Sequence, residues 1–297
     1  MKAKQSRRTL LKNLALGASA AIAAPAISFA DKISVQEKMK LKLKGNINHS
    51  VCRWTFNYLS LDDLCKTVKD IGFSAIDLLK PVDWPTIQQH GIYCSMCYTN
   101  GENNLYKGLN DPANHEKLIG EYLEVIPEMA KYNYKNLICF SGTRHGLDDE
   151  TGIKNCAEAL DKILPLAKKH GVTMIMELLN SKIDHKDYQC DHTAWGVQLC
   201  EKVNSENFKL LYDIYHMQID EGDIIRTIRD NHQYIAHYHT GGVPGRHEIN
   251  DTQELYYPAI MRAIKDTGYK GYVAQEFMPT RENKVDSLKE AITICDV

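Results

Sequence analysis

The stretch Val172-Thr-Met-Ile-Met-Glu177 decides the fold, because it is a short apolar run that ends in a carboxylate. Similar apolar runs recur three times further along the chain, and each ends in a carboxylate or a histidine. They are Phe208-Lys-Leu-Leu-Tyr-Asp213, Tyr234-Ile-Ala-His-Tyr-His239 and Tyr272-Val-Ala-Gln-Glu276. Apolar runs of this length are typical of buried β-strands. A side chain that commonly binds metal ions therefore closes four successive predicted strands, and a helical pattern lies between each strand and the next.

Eight such strand–helix pairs can be counted along the 297 residues. The predicted strands lie near residues 46–52, 74–79, 92–98, 136–141, 172–177, 208–213, 234–239 and 271–276. The predicted helices lie near residues 61–71, 84–90, 112–132, 151–169, 192–203, 222–231, 254–267 and 284–294. This alternation predicts a single α/β domain folded as a closed (β/α)8 TIM barrel, in which the carboxyl ends of all strands meet at one mouth.

The four strand-end residues Glu177, Asp213, His239 and Glu276 are predicted to bind one divalent metal ion at that mouth. One imidazole and three carboxylates suit Mn²⁺ or Mg²⁺ best, and they also suit Co²⁺ or Zn²⁺. A metal that chelates both oxygens of an α-hydroxy carbonyl compound acidifies the C–H bond between them. Glu177 and Glu276 are then the predicted catalytic residues: one removes the proton and the other returns it, through a metal-bound enediolate. This isomerisation or epimerisation needs no organic cofactor.

The order of these motifs resembles the xylose-isomerase-like TIM barrel superfamily, which includes ketose 3-epimerases and hydroxypyruvate isomerases. The resemblance covers roughly residues 46–296, and it implies that the four strand-end residues bind the metal and that the two glutamates move the proton. Three stretches are most similar to the hydroxypyruvate isomerase family: His49-Ser-Val-Cys-Arg-Trp54-Thr-Phe56, Tyr212-Asp213-Ile-Tyr-His216 and Val243-Pro-Gly-Arg246-His247-Glu248. That family usually has Gln where this chain has His239, and histidine at this position is typical of the epimerases.

The resemblance also implies the substrate contacts. His216 is similar to the family histidine that contacts a substrate oxygen, and Arg246 is similar to the arginine that pairs with substrate oxygens or a carboxylate. Trp54 and Phe56 are expected to form an apolar wall, and Asn180 is expected to add a polar contact. The expected partner is a small sugar or keto acid, and the resemblance also allows a homo-oligomer.

Other polar side chains are predicted to lie outside the site. His237 is predicted to be a hydrogen-bonded core residue, with support of a metal ligand as the alternative. Asp184, His185 and His192 are predicted to be solvated.

The nine cysteines are irregularly spaced, and no disulfide framework is predicted. Cys94 and Cys97 lie in a predicted strand three residues apart, where side chains alternate between two faces. They are therefore predicted to be two separate buried thiols on opposite faces.

Residues 1–30 are predicted to be an export signal that is not part of the fold. Ser6-Arg7-Arg8-Thr9-Leu10-Leu11-Lys12 resembles a twin-arginine motif, and Ser28-Phe29-Ala30 offers small residues for cleavage before Asp31. The predicted product is periplasmic or secreted, with a polar lead-in over residues 31–45 and the catalytic barrel over residues 46–297.

Without the five basic residues of the signal, 31 basic and 38 acidic residues remain, which gives a net charge of −7. This charge argues against nucleic acid as a partner, and no second long apolar run predicts a membrane contact after signal removal.

Three other functions are compatible with parts of this pattern. A lyase or dehydratase acting on a keto-sugar would share the same proton abstraction. A phosphodiesterase of the endonuclease IV type would need three zinc ions and more ligands, and the acidic surface opposes DNA binding. A non-catalytic periplasmic sugar-binding protein would not need the two proton-transfer glutamates, which are both present.

Overall fold

The computed structural model describes residues 41–297, and their strands close into an eight-stranded parallel barrel in chain order. The strands are β1 (Asn48–Cys52), β2 (Ala75–Leu79), β3 (Tyr93–Cys97), β4 (Asn136–Cys139), β5 (Thr173–Glu177), β6 (Phe208–Asp213), β7 (Ile235–Thr240) and β8 (Tyr272–Gln275). The predicted TIM barrel is therefore confirmed, and β1 pairs with β8 to close it. The predicted export signal and most of the predicted lead-in lie outside the described residues.

Helices follow the strands on the outside of the barrel. They are α1 (Leu61–Ile71), α2 (Trp84–Gln89), α3 (His115–Lys131), α4 (Asp149–His170), α5 (Thr193–Val203), α6 (Ile214–Asp220), α7 (Ile224–Asn231), α8 (Tyr257–Asp266) and α9 (Lys284–Cys295). Each of the eight predicted helices is present, with ends that differ by a few residues. From residue 41 onwards, no helix combines the length and the apolar character that a membrane crossing requires.

The helix α6 was not predicted, and it matters because it carries His216. It starts directly after β6, where the carboxylate of Asp213 accepts hydrogen bonds from the backbone N–H groups of Tyr215 at 2.8 Å and His216 at 3.2 Å. An aspartate at this position satisfies N–H groups that a new helix leaves without partners. The strand-end residue therefore also starts the next helix.

The barrel and its helices share one apolar core. Helix α3 shows why these elements pack as they do: Tyr122, Ile126 and Met129 recur at helical spacing and are buried against the barrel, while Leu118 is partly buried. Burial of such a side chain contributes roughly 1.5–3 kcal/mol. The predicted apolar face of this helix is thereby confirmed at three of its four positions.

Strand β2 is irregular at its carboxyl half. Its pairing with β3 shifts register on both sides of Asp77, and the next residue, Leu78, has a φ of 60°. A residue other than glycine seldom adopts this left-handed backbone conformation. Such bulges are common beside active sites, where they change the direction of a side chain.

The prediction for Cys94 and Cys97 is wrong in one respect. Both thiols are buried, but the Sγ atoms lie only 3.4 Å apart. The alternation rule assumes a regular strand, and β3 pairs irregularly with β2 at this level. All nine cysteines lie in the described part of the chain and are free thiols there.

Candidate active site

The mouth of the barrel brings the four predicted metal ligands together. Glu177 and Asp213 end β5 and β6, His239 lies near the end of β7, and Glu276 follows β8 directly. One ligand atom from each residue lies within 4.8 Å of the others, and all four residues are buried. The parallel barrel produces this convergence because it places the carboxyl ends of all its strands on one side.

The imidazole of His239 is at the centre of the cluster. Its Nδ1 atom lies 2.6 Å from Glu276 Oε2, 3.3 Å from Glu177 Oε1 and 3.9 Å from Asp213 Oδ2. Within residues 41–297, this nitrogen nevertheless has no hydrogen-bond partner of acceptable geometry. A buried ring nitrogen that faces three carboxylates fits a shared divalent cation. The four residues therefore fit the metal that the sequence predicts.

The two carboxylate oxygens of Asp213 have different partners. Oδ1 caps α6, while Oδ2 accepts a hydrogen bond of 2.8 Å from Arg246 Nη2. Burial raises the pKa of Asp213 to about 7, although the Arg246 cation acts in the opposite direction. A proton therefore competes with any cation for this carboxylate near neutral pH.

The two glutamates differ in environment. Burial would raise the pKa of Glu276, but the charges of Arg246 and His239 outweigh it and hold this pKa well below its usual value. The indole Nε1 of Trp54 also donates to Glu276 Oε1 at 2.7 Å. Burial and the Glu276 charge instead raise the pKa of Glu177, despite the opposing effect of His239. Two carboxylates whose pKa values are shifted in opposite directions suit opposite roles in proton transfer.

Arg246 reaches the cluster from the loop after β7. Its guanidinium contacts both Asp213 and Glu276, and it lies 5.0 Å from the centre of the Tyr215 ring and 5.7 Å from that of Trp54. These aromatic faces favour a cation and limit its movement. The side chain is 11% exposed, so one edge of it stays open to the mouth.

The arginine loop is attached to the start of α9 by Glu248. This buried carboxylate accepts hydrogen bonds from the backbone and hydroxyl groups of Thr280, at 2.7 and 2.8 Å, and from Ser287 Oγ at 2.8 Å. Burial would raise its pKa, but these hydrogen bonds lower the pKa of Glu248 to about 2. Glu248 therefore holds the loop in place and leaves Arg246 free to face the site.

His216 and Asn180 form one buried unit. The Oδ1 atom of Asn180 accepts the backbone N–H groups of residues 183 and 184, each at 3.0 Å, so its Nδ2 must face His216 Nδ1, at 2.6 Å. Asn180 is fully buried and orients the histidine ring. The other ring nitrogen, Nε2, lies 2.5 Å from Arg246 Nη1, on the side of the cluster. Burial and the Arg246 charge lower the pKa of His216 well below its usual value.

The rim of the site differs from the predicted one in two side chains, Phe56 and His185. Trp54 is 40% exposed and can form a wall, but Phe56 is buried against Phe277 and cannot.

Asp184 is exposed, as predicted, yet it also accepts hydrogen bonds from Asn180 and from Tyr215. His185 was predicted to be solvated but is partly buried, with its ring centre 5.2 Å from that of His216. His192 is exposed, as predicted.

Asp77 is the buried residue that the sequence interpretation missed. Its Oδ2 atom lies 2.7 Å from His239 Nε2 and 3.2 Å from His237 Nε2, and its Oδ1 accepts a hydrogen bond from Ser95 Oγ at 2.5 Å. Burial would raise the pKa of Asp77, but the two histidines hold it below its usual value. A lone acid inside the apolar run Ala75-Ile-Asp-Leu-Leu79 was the available signal. His237 is hydrogen-bonded and buried, as predicted.

The sequence pattern of the xylose isomerase-like TIM barrel family matches residues 65–296. The chain belongs to this family. A 2-oxo-tetronate isomerase from Cupriavidus necator is 34% identical over 113 residues, which are 38% of this chain and 43% of that protein. A human protein provisionally named hydroxypyruvate isomerase is 32% identical over 114 residues, which are 38% of this chain and 41% of that protein. The chain thus matches less than half the length of each of these two relatives.

A solved structure shares the fold over most of the chain. The AP endonuclease, family 2, from Brucella melitensis superposes with a TM-score of 0.72 at 22% identity, covering 80% of this chain and 96% of that one. At this identity the superposition shows a common barrel and leaves the chemistry to the residues at its mouth.

Proposed function

We propose that this protein is a metal-dependent isomerase or epimerase that acts on a small α-hydroxy carbonyl compound. The observation that carries the proposal is the buried cluster of three carboxylates around His239 Nδ1, a nitrogen without a hydrogen-bond partner among the described residues. The names of the two relatives describe small oxo acids, and we propose a substrate of this class, with a ketose as the second choice.

The cluster assigns a role to each ligand. A divalent cation bound by the four residues would polarise the substrate carbonyl and so acidify the neighbouring C–H bond. Glu276, whose environment favours the ionised form, takes the proton from that carbon, and the electrons of the C–H bond move into the carbonyl group. Glu177, whose environment favours the protonated form, returns a proton. A proton added to the former carbonyl carbon, with transfer of the hydroxyl proton to the other oxygen, gives the isomer. A proton added to the opposite face of the first carbon gives the epimer.

The surrounding side chains would bind and orient the substrate. Arg246 offers a planar fork that matches a carboxylate or two adjacent oxygens. His216 lies beside it, and Asn180 fixes the plane of its ring. Trp54 would cover the carbon side of the substrate while its N–H group holds Glu276 in position.

Proton exchange with solvent tests this proposal. The protein lacking residues 1–30, loaded with Mn²⁺ or Mg²⁺ in turn, is incubated in D₂O with hydroxypyruvate, 2-oxo-tetronates and ketoses. We expect NMR to detect deuterium at the carbon beside the carbonyl, together with an isomer or epimer. Exchange should stop after chelation and in Glu276→Gln, because general base catalysis contributes about 10²–10⁴-fold.

A matched variant controls for the substitution itself. Glu254→Gln makes the same change at an exposed position in the loop that also carries Arg246, and it should exchange at the wild-type rate. Full exchange in Glu276→Gln would contradict the assignment of the base. Loss of water or carbon–carbon cleavage in the product would identify a lyase or dehydratase, and bound sugar without exchange would identify a binding protein.

We also propose that residues 1–30 direct export by the twin-arginine route, on the basis of Arg7, Arg8 and the small residues before Asp31. Mass spectrometry of the periplasmic fraction should find a chain that starts at Asp31, and Arg7→Lys with Arg8→Lys should retain the full-length chain in the cytoplasm. Export of the double variant at the wild-type level would contradict this proposal.

A further inference from the structure

Asp77 is an ionisable residue of the barrel interior that the proposed proton transfer does not use. It is fully buried, and it lies beneath the ligand cluster, on the Nε2 side of His239. Its carboxylate is held from several directions: Ser95 donates to one oxygen, His237 and His239 face the other, and Cys52 Sγ lies 3.7 Å away. A buried charge with this number of partners has one fixed orientation.

The backbone is distorted where it presents this carboxylate. The register of β2 against β3 shifts on both sides of Asp77, and Leu78 adopts a φ of 60°. A conformation of this kind persists only where the surrounding structure enforces it, and it is concentrated at functional sites. The fold therefore accepts local strain at the residue that follows Asp77.

The hydrogen bond decides where the proton of His239 resides. Metal binding requires a neutral imidazole, which carries one proton, and the nitrogen without that proton offers the lone pair that the metal binds. Asp77 Oδ2 can only accept, at 2.7 Å from Nε2. A proton on Nδ1 would leave two acceptors facing each other at Nε2, so the proton belongs on Nε2. The lone pair then lies on Nδ1, which faces Glu177, Asp213 and Glu276.

We propose that Asp77 is a positioning residue of the metal site, which holds His239 in the Nε2–H tautomer and so directs the Nδ1 lone pair towards the ligand cluster. The inference rests on the proposed function, because it requires that a cation binds there. Carboxylates that accept from the second nitrogen of a metal-binding histidine raise its basicity as well as fixing its ring. Asp77 therefore contributes to metal affinity without contacting the metal or the substrate.

Mn²⁺ titration monitored by electron paramagnetic resonance tests the inference, with circular dichroism to verify that each variant is folded. Asp77→Ala should weaken Mn²⁺ binding about 10–100-fold. Asp77→Asn retains an oxygen that can accept from Nε2, so its affinity should lie between those of wild type and Asp77→Ala. Tyr269→Phe is the control: it removes a hydroxyl whose one hydrogen is shared by the backbone oxygens of Ala236 and Tyr272, each 2.9 Å away, at the opposite end of the barrel. It should lower Tm and leave the affinity within about twofold, because this hydroxyl is neutral and bonds to backbone oxygens instead of to Asp77 or a predicted ligand.

A second measurement does not depend on a variant that folds. In the Mg²⁺-loaded wild type, the ¹⁵N shifts of the His239 ring should show the proton on Nε2, and a proton on Nδ1 would overturn the inference. Folded Asp77→Ala that binds Mn²⁺ within twofold of wild type would also overturn it. A wild type that binds no Mn²⁺ would overturn both this inference and the proposed function. A wild type that binds Mn²⁺ but exchanges no substrate proton would refute the isomerase alone, and weaker Mn²⁺ binding by Asp77→Ala would still support the role of Asp77.

Discussion

Protons and metal should compete for Asp213 near neutral pH, and replacement of this residue by asparagine should remove the competition. Burial raises the pKa of Asp213 to about 7 in the metal-free protein. A metal binds the ionised carboxylate, so a protonated Asp213 must first release its proton. Metal affinity therefore falls as the pH falls through 7. The same shift makes the protonated form of Asp213 favourable to folding, so its contribution to stability is lost as the pH rises through 7.

The magnitude follows from the fraction of protein in which Asp213 is ionised. With a pKa of about 7, competition by this proton weakens the apparent Kd about twofold at pH 7, about tenfold at pH 6 and about 100-fold at pH 5. His239 adds a proton of its own, because its pKa is raised well above the usual value: burial would lower it, but Glu276 and Asp77 raise it. That second proton contributes to the pH slope of both the wild type and Asp213→Asn.

The assay is Mn²⁺ titration of both proteins between pH 5.5 and 8, together with calorimetry in buffers of different ionisation enthalpy. Asp213→Asn should bind more weakly at pH 8, because it lacks one charged ligand. Below pH 7 its affinity should fall less steeply than that of the wild type, by about one proton per bound metal. Equal slopes for the two proteins, or a wild-type affinity independent of pH below 7, would refute the reasoning.

Three further changes test the surroundings of the cluster. Trp54→Phe keeps the ring but removes the donor to Glu276, so kcat/KM should fall about tenfold, as expected for a hydrogen bond to a charged group; unchanged steady-state kinetics would contradict this role. Arg246→Lys replaces a planar fork by a point charge, so KM for an oxo acid should rise about tenfold or more, and an unchanged KM would show that another group binds the carboxylate. Glu248→Gln should lower the free energy of unfolding in urea at pH 7 by about 2 kcal/mol, because hydrogen bonds to a charged group are lost. Since the pKa of Glu248 is lowered to about 2, that difference is present above pH 4.5 and should disappear towards pH 2; a difference that persists at pH 2 would refute the assignment.

The sequence by itself determined the barrel and predicted the four side chains that meet at its mouth. Both follow from local patterns: apolar runs of strand length, helices between them, and Glu177, Asp213, His239 and Glu276 at the strand ends. Parallel strands in a closed barrel bring their carboxyl ends together whatever the loops do. Residues that are distant in the sequence could therefore be placed at one site without knowledge of any side-chain contact.

Only the tertiary structure decided which side chains surround that cluster. Asp77 reaches His239 because β2 is distorted, and a periodic pattern carries no sign of a bulge. The sequence also could not separate Phe56 from Trp54, which are close together in the chain but differ in burial. Nor could it give the partners of Arg246, which depend on how Glu248 holds the loop. Strand periodicity is a local property of the chain, whereas hydrogen bonds between β2, β7 and the loops depend on how distant segments pack.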